Sequence, residues 1–398
     1  MSIVNKRFTL LYASLFTVFV LYGASLTLVG AILPRVFTDF KWSYIEAGFV
    51  LAGWSIGAFV GAFVAGRLLH ILGIRLAMLT GLGLDVAGLL LFGSSTSILP
   101  NLLLYVGVGI GQGFLEVSIN WAVVRMSQPG DGRAMNLVHG AFSIGAVLGP
   151  IVVGGILASG MPWTYAFKGV ALLFALLFLA SLFLPFGILG KDAATETRHF
   201  QGLTRSPAYW LGFLVLFLYV GAELGISNWS SEFFVKAMGS SVETGALVVS
   251  LFWTGLLAGR LGFPLLLPKA RTDRLIVVLG LIFAVAAGLI LAAGLAGPKA
   301  LVLGFVAVAL AGLGASCIYP SAMTLVGSAF PETQGPALSF AATGGTLGAF
   351  VFPFAMSGIA GTLGLAAGFA SYAGIAALSA AASFALAAAV RARARPAS

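Results

Sequence analysis

Leu99–Met126 reads LPNLLLYVGVGIGQGFLEVSINWAVVRM, a stretch in which Glu116 is the only acid and Arg125 the only base. As a helix it would be about 42 Å long at 1.5 Å per residue, more than the roughly 30 Å hydrocarbon core of a bilayer. Lipid offers no hydrogen bonds, so every backbone N–H and C=O must be satisfied within the segment, and the stretch is predicted to be a membrane helix. Gly107, Gly109, Gly111 and Gly113 let a neighbouring helix approach closely. Gln112, Glu116 and Asn120 follow at four-residue steps and share one face.

Eleven further apolar runs of similar length flank this one. The predicted spans are about 8–33, 44–69, 74–93, 99–126, 134–158, 163–187, 207–235, 242–267, 274–295, 299–328, 334–360 and 364–390. Only 8% of the 398 residues are charged and 60% are hydrophobic, against about a quarter charged in soluble proteins. Mean hydropathy is +1.07. The expected fold is therefore an all-α membrane protein of twelve transmembrane helices. No soluble catalytic domain fits between the spans. Lys6 and Arg7 precede an apolar stretch that runs to about Leu33 without a convincing small-residue cleavage site, so it reads as a retained first span. Cys317 is the only cysteine, which excludes an intramolecular disulfide and a thiolate metal cluster.

Charge placement gives the orientation. Of 21 Lys and Arg residues, sixteen fall on the side of the N-terminus and five (Arg35, Lys41, Lys168, Lys236 and Lys299) on the other. By the positive-inside rule both termini and the polar 190–206 connection are expected in the cytoplasm, which suits the cell (inner) membrane. The net charge of +9 follows from these loops and calls for no nucleic acid. The expected organisation is an N-terminal six-helix bundle over 1–189, a cytoplasmic linker over 190–206 and a C-terminal six-helix bundle over 207–398.

The halves echo each other. Ala65-Gly66-Arg67-Leu68 recurs as Ala258-Gly259-Arg260-Leu261, Gly145 to Pro150 as Gly348 to Pro353, and Gly109 with Gly111 as Gly312 with Gly314. In order, and in corresponding spans, these matches argue for two six-helix repeats of parallel topology, a 6+6 pseudo-symmetric arrangement.

Three acids fall at mid-span, Asp85, Glu116 and Glu223, and the others at loops or span ends. A charged residue at mid-span costs about 2.5–3.5 kcal/mol on insertion scales, so each is a functional candidate. Glu116 and Glu223 are the candidate ion-coupling acids, with Gln112 and Asn120 beside Glu116 as solute contacts. Glu223 shares a face with Tyr219 and Ser227 and precedes Asn228 and Trp229. Carboxylate, amide and indole together suit a hydroxyl-rich ligand, with polar edges for hydrogen bonds and an aromatic face for C–H groups. Asn136, His139 and Ser143 line span 5. His139 is a candidate proton relay or partner of Glu116, and equally an interhelical hydrogen-bonder. Asp85, among Gly81, Leu82, Gly88 and Leu89, has no polar companion in its own helix and is the weakest of the three acids. Trp54 and Trp253 occupy comparable places in the two halves and serve either packing or solute contact. Arg67 and Arg260 near helix ends suit gating. Ser339, Thr343 and Thr346 read chiefly as a packing stripe.

Twelve spans, a central loop and a 6+6 repeat resemble the major facilitator superfamily. Its signature between spans 2 and 3 survives in Gly66, Gly73 and Arg75, while His70 and Ile71 stand where an acid and a base are expected. The resemblance implies two halves that rock about a midplane site, exposing it to each side in turn. Tyr219–Trp229 (YVGAELGISNW), Met135–Pro150 (MNLVHGAFSIGAVLGP), Tyr319–Glu332 and Gly335–Pro353 are similar to the fucose/glucose-type sugar:cation symporters of that superfamily, the sodium-dependent glucose transporter-like branch included. Acids in helices 1 and 4 of the fucose transporter support coupling and recognition. Glu116 matches the helix 4 position, while span 1 offers only Tyr22, Ser25 and Thr27.

The expectation is a monomeric secondary transporter that imports a monosaccharide-like solute with a cation, H+ in preference to Na+, and carries no cofactor and no metal. Gly145-x-x-x-Gly149-Pro150-x-x-x-Gly154-Gly155 resembles the glycine-proline motif of drug:proton antiporters and keeps a proton-coupled exporter open as the alternative. A receptor or scaffold fits poorly with acids kept in several core spans. An enzyme fits less well still, as neither a metal-ligand cluster nor a nucleophile–base pair is found.

Overall fold

The computed structural model describes residues 6–127, 133–189, 203–267 and 269–394, with the side chains of a few helical residues, His70 and Asn136 among them, outside the description. Within these the chain is helical throughout: α1 (Thr9–Asp39), α2 (Tyr44–Leu91), α3 (Ile98–Met126), α4 (Arg133–Ala158), α5 (Thr164–Ser181), α6 (Pro207–Met238), α7 (Val242–Leu266), α8 (Thr272–Ala296), α9 (Leu301–Ala315), α10 (Ile318–Ala329), α11 (Gln334–Leu363) and α12 (Leu365–Ala394).

Among the described residues, eleven helical stretches are long and apolar enough to cross a membrane. The expected count of twelve is not reached because spans 9 and 10 run together. α8, a 3-10 turn at Gly297–Ala300, α9 and α10 form one stretch of 58 residues over Thr272–Ala329. Within that stretch α8 ends at Gly297, at φ 74° and ψ −154°, and only the short turn that carries Lys299 separates it from α9. Elsewhere the breaks have clear causes. Gly73, at φ 77° and ψ 164°, interrupts α2 in a backbone conformation that residues with a Cβ rarely adopt. Gly239, at φ 67°, ends α6, and the Ser241 hydroxyl accepts the Thr244 N–H at 3.2 Å to start α7.

The chain divides into two compact units, one of Met1–Trp42 and Phe49–Ala194, the other of Ser43–Gly48 and Thr195–Ser398. Residues 190–202 of the expected linker lie outside the described residues.

In the first unit, α1 packs along α4 and α3 lies against α2. These contacts depend on missing side chains. A Cβ on Gly145 would run into the Val20 carbonyl of α1, one on Gly23 into the Phe142 carbonyl of α4, and one on Gly109 into the Trp54 carbonyl of α2. The second unit repeats the arrangement with the matched residues. Gly348 of α11 lies on the Phe217 carbonyl of α6, and Gly312 of α9 on the Phe252 carbonyl of α7. Gly111 approaches the backbone of Gly81 and Asp85, and its counterpart Gly314 that of Phe283 in α8. The glycines paired in the sequence thus make paired helix contacts, as small-residue interfaces in lipid require.

Large apolar side chains such as Leu10, Phe63, Leu172, Leu265 and Val302 stand exposed along the helices. Water-soluble proteins seldom expose more than a few hundred Å² of contiguous apolar surface, so these flanks are suited to lipid.

Gly145→Ala and Gly348→Ala are each expected to destabilise the protein by roughly 1–3 kcal/mol through overpacking. Gly107, whose added Cβ would meet nothing within 4 Å, should accept alanine without loss. Thermal unfolding of the purified protein in detergent compares the three.

Candidate transport site

Each unit carries its own acid-centred cluster. In the first, α3 supplies Gln112 and Glu116 one turn apart. Gln112 is fully buried, which demands partners for both ends of its amide. Trp54 of α2 donates its indole N–H to Gln112 Oε1 at 2.6 Å, and Gln112 Nε2 donates to the Ser25 hydroxyl of α1 at 2.8 Å. Ser25 in turn donates to the Tyr22 carbonyl at 2.9 Å. One amide therefore ties α1, α2 and α3 together.

Glu116 lies on the same face yet is exposed, although it sits well inside the helix. The Tyr22 hydroxyl approaches its Oε2 at 3.4 Å, a long hydrogen bond that leaves the carboxylate room to take another partner. Asn120, one turn further on, is half-buried and its Oδ1 accepts no hydrogen bond. Behind them Tyr22 and Phe19 pack edge-on, Tyr22 against Phe142 and Phe19 against His139, with ring centroids 5.3 Å apart in each pair. His139 is exposed. The Asn136 side chain lies outside the described residues.

Asp85 changes status. Weak by its sequence neighbours, it is 0% exposed, and neither carboxyl oxygen has a hydrogen bond of good geometry. Gln112 lies beside it, and Tyr22 is within its electrostatic reach. The companions missing from its own helix come from α1 and α3.

The second cluster is built on α6. Tyr219, Glu223 and Ser227 share a face, all buried, with Glu223 7% exposed. Trp253 of α7 donates its indole N–H to the Ser227 hydroxyl at 2.8 Å, so Trp54 and Trp253 each close a polar group of their unit. Arg260, expected at a gate, bears electrostatically on both Tyr219 and Glu223, and its Nε donates to the Ser316 carbonyl at 3.2 Å. Arg67 differs: it is exposed, and its guanidinium stacks over Phe63 at 4.4 Å from the ring centroid. Asn228 is half-buried.

Trp229 is fully buried and meets the Tyr44 ring edge-on at 5.8 Å, while the Tyr44 hydroxyl donates to Glu232 Oε1 at 3.1 Å. Tyr219, Trp229, Trp253 and Gln112 are closed off from solvent in this state, so direct solute contact by any of them requires the site to open. Sequence reasoning passed over Tyr22 and Ser25 as site residues, although their three-residue spacing on span 1 puts them on one face. No group of three or more His, Cys, Asp or Glu among the described residues could hold a metal ion.

Residues 15–308 match the profile of the Major Facilitator Superfamily, and the chain belongs to that superfamily: it is an integral membrane protein of a transporter family, not an enzyme. Curated relatives include the TsgA homolog of Erwinia tasmaniensis, 25% identical over 352 residues that cover 86% of each chain, and TsgA of Salmonella typhimurium, 25% identical over 354 residues with the same coverage. Among solved structures, the fucose:proton symporter FucP of E. coli superposes with a TM-score of 0.64 at 19% identity, covering 98% of this chain and 99% of that one. A D-xylose-proton symporter superposes with a TM-score of 0.75 at 16% identity, covering 93% and 95%. At these identities the structural likeness establishes the fold.

The Trp253–Ser227 bond should be measurable in isolation. Trp253→Phe and Ser227→Ala each remove it, and the double variant should lose about 0.5–1.5 kcal/mol less than the sum of the two. Unfolding of the three variants in detergent supplies the cycle.

Proposed function

We propose that the protein is a secondary active transporter that imports a monosaccharide-like solute together with a cation, H+ in preference to Na+, by alternating access. The observation that carries this reading is Glu116: an acid well inside a membrane helix, exposed, and faced among the described residues by a loosely bound tyrosine hydroxyl. An acid kept there against its insertion cost has a use, and binding and releasing a positive ion is the use its setting suits. Gln112, Asn120, Asn136, Tyr219, Glu223, Asn228, Trp229 and Trp253 are the solute contacts of this reading, and His139 assists proton movement. Amide, carboxyl and indole groups match the alternating polar edges and C–H faces of a sugar. The fucose:proton and D-xylose-proton symporters of the same fold support that substrate class.

Arg260 enters the reading as a partner of Glu223, and Arg67 remains the gating candidate. The 58-residue stretch from Thr272 is far longer than the roughly 20 residues one crossing needs, so the reading takes it as two crossings and the count as twelve. The six-helix bundles 1–189 and 207–398, the cytoplasmic linker 190–206, cytoplasmic termini, the inner membrane and a monomeric state complete it. Proton-coupled export of small molecules is the second reading, suggested by Gly145, Gly149 and Pro150. Close packing of both glycines on α1 accounts for that run without export.

Uptake into proteoliposomes, with hexoses, pentoses, nucleosides and cationic dyes tested under imposed proton or sodium gradients, decides between the readings. A sugar should accumulate under an inward proton gradient. Extrusion of dye with no response to any sugar contradicts import.

A further inference from the structure

We propose that Asp85 is a second proton-binding carboxyl of the first unit, coupled to Glu116 through Gln112 and Tyr22. The geometry is unusual for a structural acid. Asp85 is completely buried, and both of its oxygens lack a hydrogen bond. Either form of a carboxyl buried there depends on the one polar side chain beside it, the Gln112 amide. A merely structural acid in a membrane helix makes a firm hydrogen bond across to a neighbour; Asp85 has the Gln112 amide beside it but no hydrogen bond of good geometry.

Gln112 explains how the two acids communicate. Its Oε1 has two lone pairs and its Nε2 two N–H groups. Trp54 takes one lone pair and Ser25 one N–H. One acceptor site and one donor site remain on an amide that lies beside Asp85 and one helical turn from Glu116. They suffice to receive the O–H of a neutral acid or to donate to a carboxylate, for one acid at a time. Tyr22 completes the link, with its hydroxyl 3.4 Å from Glu116 Oε2 and within electrostatic reach of Asp85. The titratable groups that meet at Tyr22 are thus Asp85 of α2 and Tyr105 and Glu116 of α3. When Glu116 loses its proton, Asp85 can replace it: Asp85 becomes the carboxylate, Glu116 the acid, and the total charge is unchanged. Two acids that exchange one proton titrate as a pair.

The role of this pair in a transport cycle rests on the cation coupling proposed above, but the test needs no solute. Infrared difference spectra of the reconstituted protein are recorded while acidic buffer is exchanged for alkaline. Among the protonated-carboxyl bands that the parent loses, two should belong to Glu116 and Asp85. Glu116→Gln should remove one and shift the other, and Asp85→Asn should remove the one that shifted. If Asp85→Asn fails to fold, Asp85→Glu keeps a carboxyl and should displace the same band. An Asp85→Asn spectrum that keeps every band of the parent overturns the proposal. So does a band that responds to sodium at constant pH and vanishes in Asp85→Asn, because Asp85 would then be a sodium ligand. Failure of sugar uptake in proteoliposomes would leave this result standing, and the reverse holds equally.

Discussion

The side-chain amide of Gln112 is the interaction on which the first unit's polar interior depends. A fully buried amide must have its donors and acceptors answered. Here the answers come from two other helices, Trp54 on α2 and Ser25 on α1. Losing either partner would leave a polar atom stranded, at a cost of about 1–3 kcal/mol. The amide therefore fixes which faces of three helices meet. Of the two mid-helix acids near it, Glu116 is exposed and Asp85 lies in the packed interior.

Helices can approach closely enough for such bonds only where side chains are missing. Gly145, Gly109 and Gly111 in the first unit, and Gly348, Gly312 and Gly314 in the second, each lie on the backbone of a neighbouring helix. Lipid tails are as apolar as leucine, so association of these helices draws on close packing and interhelical hydrogen bonds. The glycines supply the first and the tryptophan–amide and tryptophan–hydroxyl pairs the second. The repeat written in the sequence is, physically, a repeat of these approaches.

The sequence made the helices legible because the bilayer imposes a simple rule on length and polarity, and the structure's helix ends fall close to the predicted spans. The shared face of Gln112, Glu116 and Asn120 was legible for a similar reason, since a four-residue period says which side chains point together. It does not say what they point at. Tyr22 is 94 residues from Glu116, and no local pattern announces that meeting. Asp85 was judged by its own helix, where every neighbour is apolar or glycine, while its companions come from α1 and α3. Arg260 sits near a helix end and reads as a gate, yet its charge reaches Tyr219 and Glu223. The helix count fell short between Ala296 and Leu301, where Gly297 and Pro298 end one apolar run but only a four-residue turn parts it from the next.

At the centre of this account is a carboxyl at position 116 that carries the coupling ion. The most direct measurement compares uphill accumulation with solute exchange at equal concentrations on both sides, in liposomes containing the parent or Glu116→Gln. The account predicts that the variant exchanges solute and cannot concentrate it. Accumulation by Glu116→Gln as strong as that of the parent would contradict it.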